Sequence, residues 1–326
     1  MRTNVFFSLL LLLSTAVSAQ NQSLAIKDKM KSEQEMEQLI QQYLQPKAIV
    51  NSFYDDFKFS SSQGAFFNQY SGHTNFISVG GDNFKTRNFY WGLNFYNITT
   101  NTNALSRMTS VLNQTTQSLQ DNGVYVHVMK QVFFPVFIDV FASFGRDNYH
   151  LINTLNGDTA NPLSGFANYN GNDSTIGART FFGQSYKAFY LQGDLTYFYS
   201  NFRQQNYTVI YSNQNVFVPS LKTRIGTTME YARLYYQVND RVSPFISGGF
   251  IQIVSRDFSR PISAANIGAL SATPEILLGR YGYGYGIGID YHYKQLRITP
   301  SYAHSVRGST YADNFVGINF QLSGMV

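Results

Sequence analysis

From about residue 48 to residue 322 the apolar pattern has a period of two, and the opposite face is polar or nearly bare. Phe89, Trp91, Leu93 and Phe95 share one face, against Tyr90, Gly92 and Asn94. Val124, Val126, Val128 and Val132 oppose Tyr125, His127 and Gln131; Val136, Ile138, Val140 and Phe144 oppose Asp139, Ser143 and Gly145. Phe189, Leu191, Leu195, Tyr197 and Tyr199 oppose Gln192, Asp194 and Thr196. In residues 221–231, Leu221, Ile225, Met229 and Tyr231 oppose Lys222, Arg224, Gly226 and Glu230. The pattern is strongest in residues 281–293, YGYGYGIGIDYHY, where tyrosines and isoleucines alternate with Gly282, Gly284, Gly286, Gly288, Asp290 and His292. Glycines weaken a strand unless the missing side chains are needed.

About twelve such segments fit, at 49–60, 72–84, 87–98, 123–133, 135–150, 174–185, 187–201, 219–237, 243–257, 279–293, 294–307 and 312–322. Each can supply the roughly 9–11 tilted residues that cross a bilayer as a strand. Tight links at 85–87, 134–135, 185–187, 239–241 and 294–295 alternate with long stretches at 99–122, 151–173, 202–218 and 258–278, rich in Asn, Ser, Thr and Gly. Short turns at one end and long loops at the other mark an outer-membrane barrel, with the short end in the periplasm. An even strand count returns the chain to the side on which it began.

In hydrocarbon every backbone polar group must be paired, so a sheet survives there only when closed. The fold class predicted is therefore all-β: a closed antiparallel 12-stranded transmembrane barrel, apolar outside and polar within. Arg179, Lys222, Arg224, Glu230, Asp290, His292 and Arg297 are expected to line the lumen, with Asp139 and Asp194 beside them. Gly284 and Gly286 should leave a groove in its wall, with the tyrosines and isoleucines of that strand toward lipid.

Residues 1–19 have the form of a secretory signal peptide: Arg2, an apolar run over 5–13, and a small-x-small site ending at Ala19. That run is too short to span a bilayer as a helix. Residues 23–45 are the one convincing helix, with Ser23 as N-cap, Pro46 as stop, and Met36, Leu39, Ile40, Tyr43 and Leu44 on one face. The domains read as 1–19 signal, 20–47 helical segment and 48–326 barrel. The chain has no cysteine, which excludes disulfides, thiolate metal sites and a cysteine nucleophile. Its net charge of +5 is not gathered into any Lys/Arg cluster, so no nucleic-acid partner is expected.

Two hairpins repeat a pattern of an aspartate near a strand end, a short charged turn, and an aromatic-rich strand. They are SVGGDNFKTRNFYWGLNFYNIT at 78–99 and GIGIDYHYKQLRITPSYAHS at 286–305. With signal peptide, helix and twelve strands, residues 23–322 resemble the translocator domain of bacterial autotransporters. The resemblance implies a barrel in the bacterial outer membrane, inserted by the barrel-assembly machinery, with the helix in the lumen. Family members carry a secreted passenger before the barrel, and none is expected here. They also end on an aromatic residue, whereas here the alternation closes on Leu322, with Phe320 the nearest ring.

Chemistry finds little footing. Asp290-x-His292 puts an acid and a base on one face, but at the turn end of the barrel and without a second acidic pair. His304 and Ser305 are adjacent and point to opposite faces. The five histidines show no metal-ligand spacing. No enzyme activity, catalytic residue, cofactor or metal is expected. The first reading is a helix-plugged channel or structural surface protein in outer-membrane lipid. The alternative is an adhesin whose polar loops meet a surface ligand, and an outer-membrane hydrolase ranks last.

Overall fold

Fourteen strands follow one another: β1 Lys47–Gln63, β2 Phe66–Thr86, β3 Phe89–Arg107, β4 Leu112–Phe133, β5 Val136–Leu155, β6 Leu163–Tyr186, β7 Phe189–Gln204, β8 Tyr207–Tyr211, β9 Asn215–Val218, β10 Leu221–Tyr236, β11 Val242–Phe258, β12 Tyr281–Tyr293, β13 Leu296–Arg307 and β14 Tyr311–Ser323. The computed structural model describes residues 44–63, 66–107, 112–133, 135–155, 161–259 and 279–324. The proposed signal peptide and nearly all of the proposed helix at 23–45 lie outside them.

Twelve strands form a closed antiparallel ring, β1 to β7 and then β10 to β14. The seam is β1 on β14, with Lys47 opposite Ser323, so the barrel starts and ends on one rim. Each predicted span falls on one ring strand. The small hairpin β8–β9 is additional and hangs on β6 through Gly165–Tyr211 and Phe166–Ile210.

On the rim of short turns, Arg87, Lys187 and Lys294 hold φ of 55°, 53° and 55°. A non-glycine residue costs roughly 1–2 kcal/mol in that region, which the pairing of the flanking strands must offset. Segment 243–257 alternates poorly because β11 carries a bulge: Ser255 pairs with Gly226 but Ile253 pairs with Thr227, leaving Val254 extra.

Much of two predicted loops, 99–122 and 151–173, is in fact strand. Residues 99–107 continue β3, 112–122 begin β4, 151–155 end β5 and 163–173 begin β6. With 24 residues, β6 has roughly 14 more than the ~10 needed to cross a bilayer. The outer face explains why the pattern hides this. Phe95 (63% exposed), Phe144 (58%) and Ile176 (60%) mark the top of an apolar belt. Beyond them the outward residues are Asn97, Asn122, Arg146 and Asn172. Water bathes the outside there, and the barrel interior becomes the dry side.

The interior above the belt holds two apolar clusters set among buried polar side chains such as Thr102, Gln117 and Asn153. Phe57 and Phe59 of β1, Tyr70 of β2, Ala104 of β3 and Tyr311 of β14 form a buried cluster with Ile225 of β10 and Ile253 of β11. That cluster joins strands from well-separated parts of the ring. A second cluster holds Tyr149, Leu151, Ala167, Tyr169, Tyr207, Val209, Tyr211 and Val218. There Tyr149, Tyr169 and Tyr207 stack with ring centroids 4.6 and 4.0 Å apart.

Candidate functional site: the barrel interior

At belt level the interior is polar and organised around His127 of β4. A bulge makes Asp82 and Asn83 of β2 oppose the single residue Gly92 of β3. Asn83 takes φ 61° and its amide donates to Asp82 Oδ1 at 2.7 Å, which fixes the carboxylate. Gly92 is also the partner of His127, and a Cβ on it would stand 2.3 Å from His127 Nε2. Only glycine leaves room for that ring.

His127 Nε2 lies 2.8 Å from Asp82 Oδ1, and Nδ1 lies 2.9 Å from Asp139 Oδ1 of β5. Arg179 of β6 donates from Nη2 to Asp139 Oδ2 at 2.9 Å, and Lys47 Nζ stands 3.8 Å from Asp82. Asp139 is fully buried. Each ring nitrogen of His127 is thus engaged by a carboxylate oxygen. That leaves neither nitrogen free to take a proton from a substrate or nucleophile. The arrangement is a clamp across five strands.

A second set sits between β10 and β13. Arg297 Nη2 and Thr299 Oγ1 both donate to Asp290, which is 2% exposed. Arg233 of β10 donates to Tyr235 Oη at 3.0 Å and stacks 4.6 Å above the Phe245 ring. Arg179 and Arg233 both act on Asp194.

Arg179, Asp290 and Arg297 therefore stand inside, as do Gly284 and Gly286. His292 is exposed at the turn end; its amide bonds the Arg241 carbonyl, while Asp290 turns to Arg297 and Thr299. Lys222, Arg224 and Glu230 stand on the outer face, contrary to expectation. Glu230 pairs with Leu195 and Phe250, both exposed, and Arg224 reaches Asp257 at 3.0 Å on the outside. The cause is the change of solvent along β10. Its first half rises above the belt, where Ile225 turns inward to a dry interior. Its second half meets lipid through Leu234 and Tyr236, leaving Arg233 and Tyr235 inside. Reading Ile225, Met229 and Tyr231 as lipid-facing inverted the strand.

The glycine row is not an open groove along its length. The Phe245 ring covers Gly288, and Arg307 approaches Gly282; only at Gly284 would a new Cβ find its nearest neighbour as far as 3.3 Å. His304 and Ser305 do point apart: His304 meets Asn314 and the Tyr285 ring outside, while Ser305 bonds Asp313 within.

No protein-family model matches the chain, and no curated protein matches it. Solved structures do. The translocator domain of the autotransporter NalP from Neisseria meningitidis superposes with a TM-score of 0.61 at 12% identity, over 91% of this chain and 98% of that one. The β domain of the Bordetella autotransporter BrkA gives 0.53 at 12%, over 86% and 99%. The transport unit of AIDA-I from Escherichia coli gives 0.57 at 13%, over 86% and 90%. The fold is that of autotransporter translocators, an outer-membrane β-barrel, and the apolar belt sets it in a bilayer.

Proposed function

We propose that this barrel is a translocator-type channel held shut by two barriers in series. The outer barrier is the cluster of Phe57, Phe59, Tyr70, Ile225, Ile253 and Tyr311, and this observation carries the reading. An apolar contact between separated strands excludes water, and with it ions and polar solutes. The inner barrier is the helix of residues 23–45 lying in the lumen. Two features support that placement. Leu44 is 4% exposed just before β1, and the Gln45 carbonyl accepts from Asn83 Nδ2 of the inward bulge at 3.5 Å. A helix with one apolar stripe and polar flanks suits a lumen lined by Asp82, His127, Asp139 and Arg179.

The chain lacks cysteine, so one introduced thiol reports lumen access without background. Gly284→Cys should react with a polar maleimide from the short-turn side at least tenfold faster once residues 23–45 are deleted. Equal rates would remove the helix from the lumen.

A surface-binding role is favoured by the extended strands. Above the belt, β3 to β6 present Asn101, Asn103, Thr116, His150 and Asn168 outward, cross-linked by bonds such as Thr116–Asn103 and His150–Asn168. Such a rigid polar wall suits contact with a partner better than mobile loops would. Cells displaying a barrel with these extensions cut back to the belt should lose adhesion if this is their role; unchanged adhesion would dismiss it.

A further inference from the structure

Asp121 of β4 faces Asp147 of β5 directly, and Asp173 of β6 faces Gly145 of β5. Three carboxylates from adjacent strands thus converge inside the barrel, one step above the belt. Ligand oxygens from all three lie within 4.8 Å of one another. Gly145 makes the space: a Cβ there would stand 2.1 Å from Asp173 Oδ1, 2.4 Å from Asp121 Oδ1 and 2.7 Å from Tyr96 Oη.

Like charges directly opposite on a sheet destabilise it, and burial strengthens the repulsion. Asp121 and Asp147 are each 5% exposed. Asp121 Oδ1, buried and aimed into this space, accepts no hydrogen bond, and neither does Asp173 Oδ1. The Arg146 backbone amide donates to the Asp121 carboxylate, but no Lys, Arg or His side chain among the described residues acts on any of the three. Arg146 and Arg203, at the same level, are on the outer face. The contrast with the clamp below is sharp, for Asp82, Asp139 and Asp290 each hold a cation of this chain. A positive side chain beside the trio is missing among the described residues.

We propose that Asp121, Asp147 and Asp173 bind a hard divalent cation, Ca2+, from the external medium. Carboxylate oxygens are the ligands Ca2+ prefers, at about 2.3–2.6 Å, so oxygens across the ion stand roughly 4.6–5.2 Å apart. Oxygens that all lie within 4.8 Å of one another can close around such an ion. The Tyr96 hydroxyl and water complete the shell. The ion straps β4, β5 and β6 together beneath the Tyr149–Tyr169–Tyr207 stack, and Tyr149 ties the two by its bond to Asp147.

The test uses full-length protein folded in detergent micelles at pH 8, with Tb3+ as probe. Tb3+ luminescence sensitised by Tyr96 and Tyr149 should be displaced by Ca2+ with a midpoint of about 0.1–1 mM, the range of extracellular sites. Asp121→Asn with Asp173→Asn should cut that signal at least tenfold. Wild-type protein should unfold at a lower temperature in EDTA than in Ca2+, a comparison that needs no variant. Absent Ca2+-displaceable luminescence, a signal undiminished in the variant, or equal wild-type melting in EDTA and Ca2+ would each overturn the site.

Discussion

Phe245 lies with its ring across Gly288, its direct partner on the neighbouring strand; a Cβ on Gly288 would stand 2.3 Å from Phe245 Cζ and 2.7 Å from the Pro300 carbonyl oxygen. The ring takes the place of the missing side chain. Gly288→Ala should therefore cost about 1–3 kcal/mol, the usual penalty of overpacking. Gly284→Ala, with its nearest neighbour at 3.3 Å, should cost clearly less. Urea unfolding in micelles compares the two. A larger cost at Gly284 would mean that position is the filled one.

His127 is the hub of the belt-level clamp, and its removal takes one partner from buried Asp139 and one from half-buried Asp82, leaving them only Arg179 and Lys47. His127→Ala should cost about 3–5 kcal/mol, as expected when one partner of a buried ion pair is lost. His304→Ala on the outer face should stay within about 0.5 kcal/mol. Similar losses for both would show that His127 carries no special burden.

Glu230 and Arg233 are three residues apart and lie on opposite faces. Glu230→Leu places an apolar side chain between Leu195 and Phe250, toward lipid. A charge on the lipid face costs up to about 2–4 kcal/mol, less for acids, so this variant should be as stable as wild type or gain up to about 1 kcal/mol. Arg233→Leu removes the Tyr235 bond and the Phe245 stack and should destabilise. The reverse order would restore the sequence-based placement of Glu230.

The belt was legible in the sequence because lipid demands strict alternation. All twelve ring strands, their short turns and their closure follow from it, and so do the inward positions of Arg179, Asp290 and Arg297. Above the belt the rule changes, since water lies outside and side chains pack inside. There Asn101, Thr116 and Asn168 give no apolar outward face, and their strands read as loops. The same change inverted β10. The clamp was half visible: Asp82 and Asp139 were seen, but a bulge no local pattern announces brings Asp82 to His127. The carboxylate trio was hidden because Asp121 and Asp173 fell in apparent loops, and strand register alone makes them neighbours of Asp147.

Planar-bilayer conductance tests the closed state most directly. The full chain should be silent. Deleting residues 23–45 alone should leave it nearly so, because the apolar cluster remains. The deletion combined with Phe57→Ser and Ile253→Ser should produce discrete open events. Large conductance from the full chain, or from the helix deletion alone, would contradict an outer barrier built from Phe57 and Ile253.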